Sequence, residues 1–290
     1  MRSDVRNYAI DLERALGAIS SSATDSKHGA GNGIGSQLSS IAASAAKATE
    51  LLRKLTEAAT VAEGGSDSAY ERDLEYLERI HPSVDEVLAD VERYGRDAGV
   101  PIVDRETGRL LSVMTSCMLA SEILEIGTAV GYSTLWLARS MPETGHLLTI
   151  DPDRERTALA TSFFERAGVS KRIDVVNQPA LAVLPTLPRR HYDIIFIDAL
   201  KEEYSAYLEL AVPLLKKSGV VIADNLLWAH AASKAQAPDD APTTVGIRRF
   251  NERFLDHPEL NATIVPVGDG LGIGAKITSG RLFKGLQTHE

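Results

Sequence analysis

Residues 123–138 read ILEIGTAVGYSTLWLA, and this stretch decides the fold. An apolar run leads into a turn with Gly127 and Gly131, and a helical pattern follows. Glycines in such a turn let the backbone approach a ligand closely, and the N-terminus of the next helix favours anionic groups such as a carboxylate. The stretch predicts a strand, a ligand-contacting turn and a helix.

The spacing in this turn argues against a nicotinamide dinucleotide site. Such a site needs G-x-G-x-x-G, but Ala129 and Tyr132 stand where its second and third glycines belong. An acidic residue on the strand, Glu125, and the relaxed spacing E-x-G-x-x-x-G look like the nucleoside end of a methyltransferase. A tight strand-to-helix connection without a ligand is the alternative.

Apolar strand-like runs alternate with helical patterns on either side of this unit. We expect parallel strands at Ile123–Gly127, Leu147–Asp151, Ile173–Asn177, Tyr192–Asp198 and Gly219–Asp224. Helices are expected after Gly131, Pro152, Pro179 and Lys201 and near Thr243, and a closing hairpin is expected at Ala262–Val267 and Leu271–Ile277. This alternation predicts a Rossmann-like α/β fold, a mostly parallel sheet with helices on both faces.

The part of the chain before the first strand divides into two regions. Residues 1–65 are rich in Ala, Ser, Thr and Gly, with helical patterns at Val5–Ile19 and Gln37–Ala62, and we expect an extension there ahead of a catalytic domain at 66–290. The apolar face of the second pattern would pack on the body or on a partner subunit. Two more helices are expected, at Val84–Ala98 with Ser83 as N-cap and at Thr107–Leu119.

Composition excludes several classes of protein. The formal charge of −9 belongs entirely to residues 66–290, so an acidic body would repel a phosphate backbone and nucleic acid is a disfavoured substrate. No stretch approaches the roughly 20 apolar residues that span a bilayer, and we expect a cytoplasmic protein with no membrane contact. The single cysteine, Cys117, lies in an apolar run and is expected to be a buried structural thiol.

Asp151 ends the second predicted strand, in LLTIDPD. A carboxylate there can accept both hydroxyls of a ribose. The alternative is that Asp151 caps the next helix, but Asp153 is available for that role.

Three oxygen donors follow the fourth and fifth strands. Asp198 lies in FIDALKEEY, and Asp224 and Asn225 lie in VVIADNLLW, at the strand ends where ligands bind in open α/β sheets. Oxygen donors without a neighbouring cysteine suit a hard cation, Mg²⁺ or Ca²⁺, better than zinc. Each aspartate alone could instead be a helix cap or a solvated strand end.

Lys201 follows Asp198 by three residues, at the start of a predicted helix. The helix dipole and a neighbouring cation would both favour its neutral form, which a general base needs. A solvated lysine in a charged run is the alternative.

Taken together, these residues resemble the cation-dependent O-methyltransferases that include catechol O-methyltransferase and caffeoyl-CoA O-methyltransferase. The resemblance covers residues 82–278, and its segments, in family order, are TGRLLSVM, ILEIGTAVGYSTLWLA, LLTIDPD, NQPALAVL, YDIIFIDALKEEY, VVIADNLLW and VPVGDGLGIGAKI. It implies a seven-stranded sheet whose last strand is antiparallel, and a homodimer. The long N-terminal extension and the segment after Trp228 depart from the family pattern, and both bear on the acceptor.

The resemblance also implies the roles of individual residues. S-adenosylmethionine would contact Val103, Glu125, Gly127, Thr128, Ser133, Asp151, Ala180 and Asp198. A divalent cation, Mg²⁺ or alternatively Ca²⁺ or Mn²⁺, would be held by Asp198, Asp224 and Asn225, with Lys201 as the base. Ser133 would lie near the methionine carboxylate.

The reaction expected from these residues is methyl transfer to a hydroxyl of a small phenolic or catechol-like molecule. One rival is methylation of a hydroxylated uridine in tRNA, which the acidic body disfavours. The other is a non-catalytic adenosylmethionine-binding protein, which should have lost a cation ligand or the lysine, whereas this chain keeps all four residues.

Overall fold

The computed structural model describes residues 72–237 and 240–277. The chain divides into two units between Ser83 and Val84. In the first unit, residues 72–80 are helical. The domain boundary expected at residue 65 and the helices expected before it lie outside the described residues. In those described ranges, no helix is long and apolar enough to cross a membrane.

The second unit alternates helices and strands as the sequence predicts. Its helices are α1 (Glu86–Ala98), α2 (Arg105–Met118), α3 (Tyr132–Ser140), α4 (Arg154–Arg166), α5 (Ala180–Val183), α6 (Tyr204–Ala211) and α7 (Pro242–Leu255). Its strands are β1 (Glu122–Ile126), β2 (His146–Ile150), β3 (Ile173–Val176), β4 (Tyr192–Ile197), β5 (Leu215–Ala223), β6 (Leu260–Val265) and β7 (Leu271–Lys276).

The seven strands form one sheet in the order β3-β2-β1-β4-β5-β7-β6. Strands β1 to β5 pair in parallel, and β7 runs antiparallel to both of its neighbours, so the expected fold class and closing hairpin are confirmed. The strand order reverses between β1 and β4. Ligands of open α/β sheets bind at the carboxyl ends of the strands beside such a reversal, which places the site there.

Two apolar layers cover the sheet, one on each face. Helices α1 to α4 pack on one face around side chains such as Leu111 and Phe164. Helices α5 to α7 pack on the other around Tyr204, Phe250 and their neighbours. The central strands β1 and β4 are buried on both faces, which is why they read as continuous apolar runs.

Two glycines in the turn after β1 are required by close packing. A Cβ on Gly127, whose φ is +104°, would lie 1.9 Å from the carbonyl oxygen of Asp198. A Cβ on Gly131, with φ +86°, would lie 2.5 Å from the Phe164 ring. The turn therefore brings the end of β1 against the end of β4, and it seats α3 against α4.

The structure corrects three local expectations. Asp85, not Ser83, caps α1, because its carboxylate accepts the N–H groups of Val87 and Leu88. Cys117 is exposed on α2 rather than buried, and Val113, one turn earlier on the same helix, is exposed as well. Strand β5 begins at Leu215, four residues before the expected start at Gly219.

Candidate active site

Glu125 lies inside the sheet and is held by three hydroxyl groups. Ser133 and Thr149 donate to it at 2.6 and 2.7 Å, and Thr134 donates to the same carboxylate. Burial raises the pKa of Glu125 to about 7, although the three hydroxyl donors act in the opposite direction. Burial thus favours the neutral form of a side chain whose charged form the three hydroxyl donors stabilise.

Thr149 extends this network to the turn, because its hydroxyl also lies 2.6 Å from that of Thr128. Both threonines are buried. Ser133 donates its own hydroxyl hydrogen to Glu125. The resemblance places this serine near the methionine carboxylate. A bound carboxylate would have to be received by another group or by a rearranged Ser133.

Asp151 follows β2 and binds the turn rather than capping the next helix. Its two oxygens accept the backbone N–H groups of Ala129 and Asp153, at 2.8 and 2.9 Å. Asp153 is the N-cap of α4, accepting from Glu155 and Arg156. The helix-cap interpretation of Asp151 is therefore wrong, and its carboxylate, only partly buried, stays at the edge of the site with lone pairs to spare.

Val103 and Ala180, the two apolar residues that the resemblance assigns to the cofactor, lie at the starts of two different helices. Val103 is 5% exposed and precedes Asp104, the N-cap of α2, while Ala180 is 6% exposed and opens α5. Val103 packs in the apolar layer of α1 to α4 and Ala180 in the other layer. Both side chains are thus packed in the apolar core, on opposite faces of the sheet.

Asp198 and Asp224 end two neighbouring strands in register. Ile197 pairs with Ala223, and the Asp224 N–H donates to the Ile197 carbonyl at 3.1 Å. Strands in a sheet lie about 4.8 Å apart, so the two aspartates that follow stand side by side. Burial, followed by the negative charge of Asp198, raises the pKa of Asp224 well above its usual range.

Asn225 adds an amide beside this pair. Its backbone is left-handed, with φ +62°, and its N–H donates to Asp224 Oδ1 at 2.8 Å. Among residues 72–237 and 240–277, no three histidine, cysteine or acidic side chains meet as a cation site. The oxygen donors that could reach a cation at this edge are the two carboxylates and the Asn225 amide oxygen.

Lys201 points back at Asp198 from a short 3₁₀ turn ahead of α6. Its Nζ lies 2.8 Å from Asp198 Oδ1 and 2.6 Å from the hydroxyl of Tyr204. Only 10% of the lysine side chain is exposed. The alternative of a solvated lysine is therefore wrong, and the basic group lies within the carboxylate cluster.

Tyr204 belongs to this cluster and Asp104 lies near it, and both were missed at the level of sequence. The Tyr204 hydroxyl is buried, and burial raises its pKa well above the ordinary value. Asp104 is close enough for its negative charge to raise the pKa of Asp224 further. The last residue of the FIDALKEEY motif is Tyr204, and this was the only signal available for it.

The segment after Asn225 has an unusual backbone and is held by its surroundings. Trp228, Ala229 and His230 are all left-handed, with φ between +49° and +63°. Asp269 accepts the Ala229 N–H at 2.7 Å, and Arg248 donates to the carbonyls of residues 231, 232 and 234. These hydrogen bonds hold the loop of residues 228–234, which follows the carboxylate cluster in the chain, in one backbone conformation.

Comparison with known proteins decides the family. Residues 84–277 match the model of the family described as O-methyltransferase. The chain belongs to the O-methyltransferase family. This match contains the whole sheet and every candidate site residue, and the family places the chain among S-adenosylmethionine-dependent O-methyltransferases.

Individual relatives agree with that assignment. A catechol O-methyltransferase from Mycobacterium tuberculosis is 35% identical over 163 residues, covering 56% of this chain and 73% of that protein. Caffeoyl-CoA O-methyltransferase 1 from Arabidopsis thaliana is 34% identical over 185 residues, covering 60% of this chain and 70% of that protein. Both relatives transfer methyl groups to oxygen, as their names state.

Solved structures of O-methyltransferases share the fold. The enzyme TomG from Streptomyces achromogenes, in complex with SAM, has a TM-score of 0.63 and 31% identity, covering 70% of this chain and 94% of that one. An O-methyltransferase from Bacillus cereus in complex with SAH has a TM-score of 0.63 and 31% identity, covering 70% and 96%. S-adenosylmethionine is the cofactor that these neighbours support.

Proposed function

We propose that this O-methyltransferase is cation-dependent and methylates a hydroxyl of a small catechol-like or phenolic molecule. The observation that carries this proposal is the pairing of Asp198 and Asp224 at the ends of adjacent strands, with the Lys201 amine 2.8 Å from Asp198. Asp224 is buried and Asp198 is partly buried, and two carboxylates side by side repel each other, so the arrangement favours a positive charge between them.

The donor set fits a hard divalent cation. Asp198 and Asp224 offer carboxylate oxygens and Asn225 offers an amide oxygen, and such ligands suit Mg²⁺, Ca²⁺ or Mn²⁺. In the present arrangement the Lys201 amine supplies positive charge to Asp198. When bound, the cation would supply further positive charge beside the acceptor oxygen and favour its ionised form.

The other half of the site suits S-adenosylmethionine, which supplies a methyl group on a sulfonium. We propose that Asp151 accepts the ribose hydroxyls, because both of its oxygens are already oriented by backbone N–H groups. Glu125, Gly127, Thr128 and Ser133 would line the turn against the methionine portion, with Val103 and Ala180 as its walls. Asp198 stands between the two halves, since its backbone follows β4 next to the Gly127 turn.

In the proposed mechanism the residues of the chain do little covalent chemistry. Lys201, as a neutral amine, takes the proton of the acceptor hydroxyl, so one N–H bond forms as one O–H bond breaks. Transfer then forms an O–C bond and breaks an S–C bond, leaving a neutral thioether. Positioning and charge supply most of the rate.

The acceptor class is inferred from the chemistry and from the relatives. Their names specify catechol and caffeoyl-CoA, and both of these acceptors carry an aromatic ring with two adjacent hydroxyl groups. Two adjacent oxygens on one ring could both reach a cation that Asp198, Asp224 and Asn225 would hold. We also propose a cytoplasmic homodimer, in keeping with the expectations from sequence.

A substrate panel tests this proposal. The purified protein is incubated with S-adenosylmethionine and MgCl₂ together with catechols, caffeoyl compounds or tRNA, and methylated products are identified by mass spectrometry. We expect methyl esters or N-methyl products to be absent and a methyl ether of a catechol or caffeoyl compound to form. Methylation of tRNA alone would overturn the proposed acceptor class.

A further inference from the structure

The amine of Lys201 is held by two acceptors at fixed positions. Nζ lies 2.8 Å from Asp198 Oδ1 and 2.6 Å from the Tyr204 hydroxyl oxygen. A lysine amine normally rotates about its last bond, so its donors and lone pair face many directions. Two acceptors remove that freedom, and the remaining tetrahedral position on Nζ then points one way.

The Tyr204 hydroxyl is itself fixed by the ends of two strands. It is fully buried and lies 3.1 Å from the Asp224 carbonyl and 3.3 Å from the Ile197 carbonyl. A tyrosine hydroxyl has one hydrogen, which these carbonyls receive, so its oxygen can only accept from Lys201. The ring is wedged against Phe250, with centroids 5.2 Å apart in an edge-to-face arrangement.

We propose that Tyr204 is a positioning residue that orients the Lys201 amine toward the acceptor hydroxyl. The inference rests on the proposed function, in which Lys201 is the base. In the neutral amine, two N–H groups point at Asp198 and Tyr204, and the lone pair takes the remaining direction. Tyr204 therefore restricts the rotation of the Lys201 amine, so that its lone pair is already oriented when the acceptor binds.

A purely structural role for Tyr204 has to be separated from this one. Its hydroxyl also joins the ends of β4 and β5, so its removal could loosen the pairing of Asp198 and Asp224. Its ring also lies 4.7 Å from Lys201 Nζ, and a phenylalanine would keep that contact. Tyr204→Phe therefore removes only the hydroxyl.

Tyr207→Phe is the matched control. Tyr207 lies on α6 in the next turn, is nearly fully buried, and donates its hydroxyl to Glu203 rather than contacting Lys201. With catechol as acceptor and MgCl₂ present, we expect Tyr204→Phe to lower kcat about 10- to 100-fold, the scale of a misplaced reacting group. KM for S-adenosylmethionine should stay within about twofold, and Tyr207→Phe should keep near-normal kcat.

A double-mutant cycle decides between the two roles. If Tyr204 acts through the lysine, adding Tyr204→Phe to Lys201→Ala should lower kcat no further than about twofold. The inference would be overturned if Tyr204→Phe lowered kcat by the same factor in the presence and absence of Lys201. It would also be overturned if Tyr204→Phe and Tyr207→Phe had equal kcat. A wild-type kcat for Lys201→Ala would instead reject Lys201 as the base, which is a failure of the proposed function.

A measurement on the wild-type protein keeps the inference testable should Tyr204→Phe fold poorly. Relaxation of ¹⁵N-labelled lysine side chains reports how freely each terminal amine rotates. We expect Lys201 Nζ to be markedly more restricted than that of the exposed Lys217. Equal mobility of the two amines would contradict the inference.

Discussion

At the β1–β2 half of the sheet's carboxyl edge, defined by Glu125 and Asp151, each carboxylate receives hydrogen bonds from neutral hydroxyl or backbone N–H groups. At the β4–β5 half, defined by Asp198 and Asp224, the two carboxylates follow paired strand ends, Lys201 donates to Asp198, and the negative charge of Asp198 helps to raise the pKa of Asp224. In the first half, hydrogen bonds within the protein stabilise both carboxylates. In the second half, the two carboxylates carry more negative charge than one lysine balances, so a bound ligand would have to supply the remaining positive charge.

The difference explains how one edge can serve two ligands. Hydroxyl and backbone donors hold carboxylates in place without adding charge, which suits the polar nucleoside of S-adenosylmethionine. Paired carboxylates beside an amine suit a cation and an acidic hydroxyl. The two halves carry separate functions, so a substitution in one half should leave the function of the other unchanged.

Asp224→Ala should have the largest effect on turnover. Loss of a cation ligand removes several kcal/mol of transition-state stabilisation, which corresponds to a fall in kcat of at least about 1000-fold. Because Asp224 belongs to the β4–β5 half, binding of S-adenosylmethionine measured by calorimetry should be nearly unchanged. A variant that keeps more than a tenth of normal activity would remove Asp224 from the mechanism.

Lys201→Ala should lower kcat by about 100- to 10,000-fold, the usual contribution of positioned proton removal. The deficit should be greatest at low pH, where the acceptor hydroxyl is least ionised. Lys216→Ala is the matched control, because Lys216 also lies 2.8 Å from an aspartate, Asp193, but at the opposite end of the same strands. Similar losses in both variants would point to a general loss of folding.

Glu125→Gln should change how stability depends on pH. The folded-state pKa of Glu125, about 7, is above its ordinary value of 4.5. The neutral carboxyl therefore stabilises the fold fully below pH 4.5, and that contribution is lost as pH rises through 7, amounting to about 3 kcal/mol. Glutamine cannot ionise. The free energy of unfolding of the variant should therefore rise relative to that of the wild type between pH 4.5 and 7, and chemical denaturation at several pH values measures this difference.

The exposed Glu143→Gln is the control for this prediction, since it should follow the wild type at every pH. A constant difference between wild type and Glu125→Gln from pH 4.5 to 8 would contradict the assignment of the raised pKa to Glu125.

Asp151→Ala should have the smallest effect. It should weaken binding of S-adenosylmethionine by about 1 to 3 kcal/mol, the value of hydrogen bonds to a charged group, while leaving cation affinity unchanged. Asp153→Ala is its neighbouring control, because loss of the α4 cap should lower the melting temperature without changing cofactor affinity. Calorimetric affinities equal to wild type would exclude Asp151 from the cofactor site.

Most of the sheet could be predicted from the sequence because its central strands are buried on both faces and read as apolar runs. The start of β5 could not, since Lys216, Lys217 and Ser218 look like a turn before Gly219. Ser218 has φ +62°, and the pairing of β4 with β5 shifts register between Tyr192 and Ile194. This irregularity depends on the neighbouring strand, which no local pattern reports.

The site could be predicted as a set of residues but not as a set of contacts. Position at strand ends brought Asp151, Asp198 and Asp224 to one edge. The bond from Ser133 to Glu125 and the bond from Lys201 to Tyr204 depend on side-chain packing in three dimensions. The exposure of Cys117 was missed for the same reason, because helical phase relative to the core decides it.

The most direct test of the account is removal and return of the cation. The protein is treated with a chelator, and methyl transfer, S-adenosylmethionine binding and the circular dichroism spectrum are recorded before and after MgCl₂ is added back. We expect methyl transfer to disappear and then return, with cofactor binding and the spectrum unchanged throughout. Full activity in the chelator would contradict the role of Asp198, Asp224 and Asn225 and leave the chain an O-methyltransferase of a cation-independent kind.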